Sequence, residues 1–181
     1  MNSEKENPIA AQSKQWILSA LLDLMKEKDF SMISITELAK RADLDRKTFY
    51  RNFHSKEDVI SLKLYELCRQ YIKKLQTLSS ISAYELSKAY FEICASNKDF
   101  LSLLNQHNLL PLALLKFNEY LPTLNELFLS NPTYRSKSKY ELAYQAGGFW
   151  NITIRWLNDG CIETADEMAT IMSSIMPSPL K

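Results

Sequence analysis

The densest group of side chains able to make directed bonds to another macromolecule lies between residues 40 and 56. Six cations (Lys40, Arg41, Arg46, Lys47, Arg51 and Lys56) face two acids, Asp43 and Asp45, a local surplus of four in a chain of formal net charge +1. Arg46, Lys47 and Thr48 are consecutive. An arginine fork can pair with O6 and N7 of guanine, lysine can do so more loosely, and threonine offers a hydroxyl to a base or phosphate and a methyl to thymine. Arg51 can add a phosphate contact, which sets register without reading sequence. A small basic footprint on a near-neutral protein suits a compact nucleic-acid-reading element. On charge alone, a solvated helix face describes the same cluster at least as well.

Other chemistries find little support. Cys68, Cys94 and Cys161 are far apart, odd in number and lack CxxC spacing. That argues against a disulfide framework or a zinc site and for a reducing cytoplasm. Nothing near them in sequence lowers a thiol pKa, so buried, inert cysteines are expected. His54 and His107 are too few and too separated for a metal cluster. There is no phosphate loop, G-x-S-x-G, HExxH or convincing His/Cys or carboxylate pair, and Glu163, Asp166 and Glu167 read as helix-cap charges. Neither an enzyme nor a cofactor or metal is expected. No apolar run approaches the roughly eighteen residues of a membrane span, so no membrane partner is expected. Residues 1–8 are polar with both charge signs, unlike a signal peptide.

The elements that would position the cationic cluster read as helices. Apolar residues make up 46% of the 181, and only three residues are glycine. A β-rich fold would need more turn glycines, so an all-α protein is predicted. Residues 1–7 read as a frayed tail. A helix follows over 8–28, with Pro8 in its first turn and Ile17, Leu21, Leu24 and Lys28 on one stripe. Ser34 and Glu37 form a capping box for a short helix over 35–41. The break at 42–44 calls for a tight turn, often through a left-handed residue, a conformation glycine takes most easily and Asp43 tolerates better than most residues. Asp45 then caps a second short helix over 46–52, with Phe49 and Phe53 on its buried side. Ala39 and Ala42 supply the small side chains needed where two such helices cross. Two short helices joined by a three-residue turn make a helix-turn-helix, whose second member enters the major groove.

Ser55 begins a longer helix over 56–77. After a Ser-rich break at 79–82, further helices are predicted over 83–96, 98–106, 109–128 (interrupted near 120–123 by Pro122), 137–159 (ended by Gly160) and 165–176 (capped by Thr164 and Glu167). Residues 131–133 read as a loop. The expected division is a helix-turn-helix domain over 8–54 and a helical regulatory and dimerisation domain over 55–181.

The run SITELAKRADLDRKTFYRNFHSKEDV, residues 34–59, resembles the signature of the TetR family of regulators. Thr48-Phe49-Tyr50, Phe53 and Ser55-Lys56-Glu57 carry the match, and residues 17–30 resemble the family's first helix. Asp43 stands where the family usually has glycine, and Asp45 where it usually has serine, which adds negative charge near phosphates. The resemblance implies a homodimer that reads a palindromic operator in double-stranded DNA. It places Tyr50 and Lys56 on phosphates and makes Asn52 a further contact. With Arg46, Lys47, Thr48 and Arg51, the expected contact set also includes Ser34, Thr36 and Asp45.

The resemblance further implies that the last two helices pack against those of a partner as a four-helix bundle. Gly147, Trp150, Trp156, Met168, Ile171, Met172 and Ile175 are the expected interface. Paired glycines, Gly147 and Gly148, weaken a helix by about 1 kcal/mol each against alanine, so either close helix approach or a kink beside a pocket should offset them. The segment from Gly147 to Gly160 resembles regulators of the dihydroxyacetone-kinase type. An unknown small-molecule effector is implied among the middle helices, with Tyr65, Phe91, His107, Phe117 and Tyr144 as lining residues, although ordinary core packing or an exposed loop histidine would equally explain them. A repressor released by ligand is the expected function. The alternative is a co-activator or protein-interaction module on the same fold.

Overall fold

A computed structural model describes residues 7–78, 82–129 and 138–176. The tail over 1–6, most of the Ser-rich break and the loop at 131–133 lie outside the described residues. Nine α-helices and one 3₁₀ turn, with no strand, make up the described residues. The helices are α1 Pro8–Glu27, α2 Ile35–Arg41, α3 Arg46–Asn52, α4 Lys56–Gln76, α5 Ala83–Ser96, α6 Lys98–Gln106, α7 Leu110–Leu129, α8 Lys139–Asn158 and α9 Ala165–Ile175, with the 3₁₀ turn at Phe30–Met32. The all-α expectation is met, and α2, α3, α5 and α6 have the predicted limits. The chain divides into two compact units between Lys63 and Leu64, inside α4.

The first unit is built on the apolar stripe of α1. Ile17, Leu21 and Leu24 are fully buried, together with Leu38 of α2, Phe49 of α3, and Val59 and Ile60 of α4. Each such side chain contributes roughly 1.5–3 kcal/mol when withdrawn from water. Asn7, expected in a frayed tail, instead caps α1: its side chain accepts the Ile9 N–H at 3.0 Å, with Pro8 at the first helical position. Lys28, expected on the apolar stripe, lies just past the end of α1 in extended backbone and pairs with Glu37. Ser34 accepts the Glu37 N–H at 3.2 Å as expected. The Glu37 carboxylate also takes Lys28 of the neighbouring segment as partner, and this bond, with the Ser34 backbone N–H, holds the carboxyl below its usual range.

The second unit is an aromatic and aliphatic core with one buried polar pair. The Tyr90 ring lies 5.1 Å from Phe91, 5.1 Å from Phe149, 5.9 Å from Tyr71 and 6.0 Å from Phe117, all edge to face. Edge-to-face contacts of this kind add about 0.5–1.5 kcal/mol each beyond area burial. The Tyr90 hydroxyl and Thr153 Oγ1 are 2.8 Å apart, and Thr153 also donates to the Phe149 carbonyl, so neither buried hydroxyl lacks a bond. Phe91, Leu104, Ala169 and Met172 are buried around this group. Both α8 and α9 open with complete capping boxes, Ser138 with Glu141 and Thr164 with Glu167. The second was predicted; the first was not.

Three helices close in the same way. At the ends of α2, α6 and α8, the residues Asp43 (φ 54°), Asn108 (φ 56°) and Gly160 (φ 87°) turn left-handed. The next N–H then reaches back across the turn: Leu44 to Ala39, Leu109 to Leu104 and Cys161 to Trp156. This satisfies carbonyls left open at a helix end. Only one of the three uses glycine, consistent with a chain so poor in it.

The expected interruption near residues 120–123 is absent. α7 runs unbroken through Pro122, which is exposed. The helix forgoes one internal N–H bond there, but neighbouring turns carry the ladder on. Interior proline disfavours a helix by up to about 3 kcal/mol against alanine. Pro122→Ala should therefore stabilise the protein by about 1–3 kcal/mol. Urea unfolding followed by circular dichroism checks this, and an unchanged or lowered midpoint would contradict it.

Candidate functional site

The site is the outer face of α3, and its geometry begins with what holds the helix inward. Phe49 is fully buried, with Tyr50 at 5.5 Å and Phe53 at 5.9 Å between ring centroids. At the other end, Asp45 Oδ1 accepts the Thr48 N–H at 2.6 Å. That hydrogen bond holds the Asp45 carboxyl below the usual carboxylate range. An ionised cap also complements the positive end of the helix. The preceding turn is the left-handed Asp43.

With Phe49 inward, Arg46, Lys47, Tyr50 and Arg51 stand exposed, and Thr48 and Asn52 are half-buried. Arg46 and Tyr50 lie one turn apart. The Arg46 guanidinium carbon is 5.7 Å from the Tyr50 ring centroid, and Nη2 is 3.4 Å from its hydroxyl. Arg51 Nη2 lies 3.4 Å from Thr48 Oγ1. Asn52 Nδ2 donates to the Thr48 carbonyl at 2.8 Å, so its amide is engaged with its own helix. On α2, Ser34 and Thr36 are exposed, and the Ser34 hydroxyl serves as the helix cap.

Two of the six cations are held by partners within the unit. Arg41 forks onto Glu27, with bonds of 2.8 and 2.9 Å that tie α2 to α1. This pairing raises the guanidinium pKa and lowers that of the carboxylate, the side-chain bond being the larger cause. Lys56 Nζ donates to the carbonyls of Phe30 and Ile33. Lys40, Arg46, Lys47 and Arg51 are also exposed, opposed by the exposed Asp43 and Asp45. With Arg41 neutralised by Glu27 and Lys56 held on carbonyls, the remaining surplus is two, against four counted from sequence. The Glu27–Arg41 and Lys28–Glu37 pairs were not legible, because their members lie on different elements brought together only by folding.

In the second unit, an apolar cavity of about 60 Å³ is lined by Cys68, Tyr71, Tyr90, Cys94, Phe117 and Trp150, among others. Of the residues expected to line a pocket, Phe117 lines this cavity. Tyr65 is 43% exposed beside Tyr120, and Tyr144 is 81% exposed. Phe91 is buried against Tyr90 and Trp156, away from the lining. His107 is the cap at the end of α6.

The residues expected at a dimer interface divide in the same manner. Trp150, Trp156, Met168 and Met172 are buried within their own chain, because the second unit draws its core from α8 and α9. Trp150 also forms part of the cavity wall. Ile171 and Ile175 are exposed, and a Cβ added at Gly147 or Gly148 would meet nothing within 4 Å. Neither glycine is required by a close contact inside the chain.

The profile of the family described as "Bacterial regulatory proteins, tetR family" matches residues 17–61. The chain is 28% identical over 90 residues to the "Uncharacterized HTH-type transcriptional regulator YxbF" of Bacillus subtilis (strain 168). That match covers 48% of this chain and 24% of the relative, so it spans about a quarter of the relative's length. Among solved structures, the fatty acid degradation regulator FadR from Bacillus halodurans superposes with TM-score 0.63 at 21% identity, covering 95% of this chain and 96% of that one. The dihydroxyacetone kinase operon activator DhaS gives 0.60 at 17%, covering 90% and 93%. FadR from Bacillus subtilis in complex with stearoyl-CoA gives 0.62 at 16%, covering 89% and 96%. At these identities the likeness is one of fold. Among the described residues, no group of three or more His, Cys, Asp or Glu could hold a metal ion, and no helix is long and apolar enough to cross a membrane.

Burial pushes the Cys68 and Cys94 thiols up to about 12 and raises that of Cys161 as well. A raised thiol pKa keeps sulfur neutral and a poor nucleophile at neutral pH. In the native protein at pH 7.5, Cys68 and Cys94 should resist a maleimide that labels all three cysteines in denaturant. Mass spectrometry of the labelled peptides reads this, and rapid native labelling of either residue would refute it.

Proposed function

We propose that this chain, whose residues 17–61 match the tetR family profile, is a TetR-type transcriptional regulator that binds a palindromic operator as a homodimer and represses transcription until an apolar effector releases it. The observation that carries the proposal is the outer face of α3, where Arg46, Lys47, Tyr50 and Arg51 stand exposed on a helix locked from behind by Phe49. Arg46 and Lys47 in its first turn are suited to base edges, Thr48 to a base or phosphate, and Tyr50 and Arg51 to phosphates. Ser34, Thr36 and Asn52 fill the rest of the surface. Asp45 sets the N-terminus of the helix and repels phosphate.

Dimerisation is assigned to α8 and α9. Ile171 and Ile175 offer an apolar strip, and the open backbone at Gly147 and Gly148 would admit a partner's helix closely. Two copies related by a twofold axis would read half-sites about one helical turn, 34–36 Å, apart.

The apolar, aromatic wall of the cavity favours a ligand with a hydrocarbon part, in keeping with the stearoyl-CoA held by the Bacillus subtilis FadR. A cavity of about 60 Å³ has room for a few waters, so a long chain would have to part the helices around it. A ligand that binds the parted state better shifts the population toward it, and this difference in affinity is what effector release requires.

Duplexes selected by the protein from a random-sequence library, titrated by fluorescence anisotropy, test the DNA assignments. Arg46→Ala should cost about 1–3 kcal/mol on the selected duplex and relax the base preference at one position. Tyr50→Ala should weaken selected and scrambled duplexes alike. If both variants bind like the wild type, α3 is not the reading helix. Asp45→Ser keeps a capping side chain while removing a negative charge, so it should tighten binding to both duplexes, most at low salt. Stearoyl-CoA should change Trp150 fluorescence and release the DNA. A reporter decides the sign of regulation: expression that rises on deletion of the regulator means repression, and expression that falls means activation.

A further inference from the structure

Lys56 opens α4, and the family resemblance would set it on a phosphate. Its ammonium has other partners here. Nζ donates to the Phe30 carbonyl at 2.7 Å and to the Ile33 carbonyl at 2.6 Å, and it lies 4.6 Å from the centroid of the Phe30 ring. An ammonium has three donors and no acceptor. Two are committed to carbonyls and the charge is turned toward an aromatic face, which attracts it further.

The position of those carbonyls gives the contact its meaning. They bracket the 3₁₀ turn, whose own bonds include those from Met32 to Asp29 and from Ile33 to Phe30. Ile33 directly precedes Ser34, the cap of α2. Lys56 therefore joins the first turn of α4 to the entrance of α2, across 23 residues of chain. The other side of α2 is tied to α1 by Arg41 and to Lys28 by Glu37. The Asp43 turn then carries α2 into α3. A swing of Lys56 toward a phosphate would break both carbonyl bonds.

We propose that Lys56 is a positioning residue: it holds the entrance of α2, and through it the reading helix, in the orientation that lets α3 reach base edges. This rests on the DNA-reading role of α3. A phosphate contact and a positioning contact leave different signatures. Loss of a phosphate contact weakens all sequences equally and lowers the salt slope by about one. Loss of a positioning contact removes discrimination and leaves the slope alone.

The test uses the full chain, a duplex selected by the wild type from a random library, and a scrambled duplex of equal length. Lys56→Met keeps the aliphatic stem over Phe30 and removes only the charged head. Affinity for the selected duplex should fall about tenfold and that for the scrambled duplex by less than about twofold, with the dependence of log K on log salt unchanged for both. Equal losses with a slope reduced by about one, or no change on either duplex, would overturn the proposal. If Lys56→Met does not fold, Lys56→Arg takes its place. A planar guanidinium cannot take the seat of a compact ammonium between two carbonyls, so discrimination falls, whereas a phosphate contact would survive the exchange. Hydrogen exchange without DNA supplies an independent reading. The Met32 and Ile33 amides should exchange at least about tenfold faster in the variant. Unchanged protection overturns the positioning role even if the wild type selects no operator, a result that would by itself defeat only the DNA reading.

Discussion

Where the Phe49 ring sits decides what α3 can present to a partner. Seven residues are too few to hold a helix by their own propensity, because nucleation is costly and short helices are marginal in water. Burying one aromatic ring supplies the missing stability: removing such a ring from a core costs about 3–5 kcal/mol, whereas a single outward contact to DNA carries about 1–3. The inward face therefore decides that the helix exists and how it is rotated. The outward face is left to chemistry. With Phe49 fully buried, helical spacing turns Lys47 and Arg51 to the solvent side and Tyr50 to the flank, and Arg46 is exposed in the first turn.

Rotation about its axis is one degree of freedom of α3, and its angle to α2 is the other. That angle is set at Asp43, a non-glycine residue in left-handed backbone, a conformation that costs most L-residues roughly 1–2 kcal/mol. The Leu44 to Ala39 hydrogen bond across the turn helps offset it. Asn108 closes α6 by the same device, so Asp and Asn do here what glycine commonly does. Small side chains at Ala39 and Ala42, both buried, let the two short helices cross closely. The charges on this unit are divided by task. Arg41 and Lys56 organise the domain, and a smaller set faces outward.

The second unit rests on a different balance. Its centre is a ring cluster about Tyr90 whose hydroxyl would be costly to bury alone, and Thr153 satisfies it. The cavity beside that cluster is walled by rings and by thiols that burial keeps neutral. An apolar guest there would face little polar competition. The large apolar residues of α8 and α9 fill the chain's own core, which leaves a narrower strip for any partner than their number implies.

Much of this protein is legible in its sequence because the deciding forces are local. Capping residues such as Ser34, Asp45, Ser82 and Thr164 satisfy N–H groups three positions away, so helix starts follow from neighbours in the chain. Apolar spacing identified the core of α1 and the inward Phe49, and the pattern Thr48-Phe49-Tyr50 with Ser55-Lys56-Glu57 carried the family. Apart from the Asn7 cap and the unbroken run of α7 through Pro122, the misplaced expectations concern contacts between elements. Glu37 took Lys28 as a further partner, Arg41 found Glu27 and Lys56 found two carbonyls, because a long charged side chain takes the best partner within reach in space. Trp150 and Tyr144 share α8 and are both large and aromatic, yet one lines a cavity and the other faces solvent. Sequence determines that a helix forms and which of its faces is apolar. Which neighbour covers each part of that face depends on how the helices pack, and only the tertiary structure decides it.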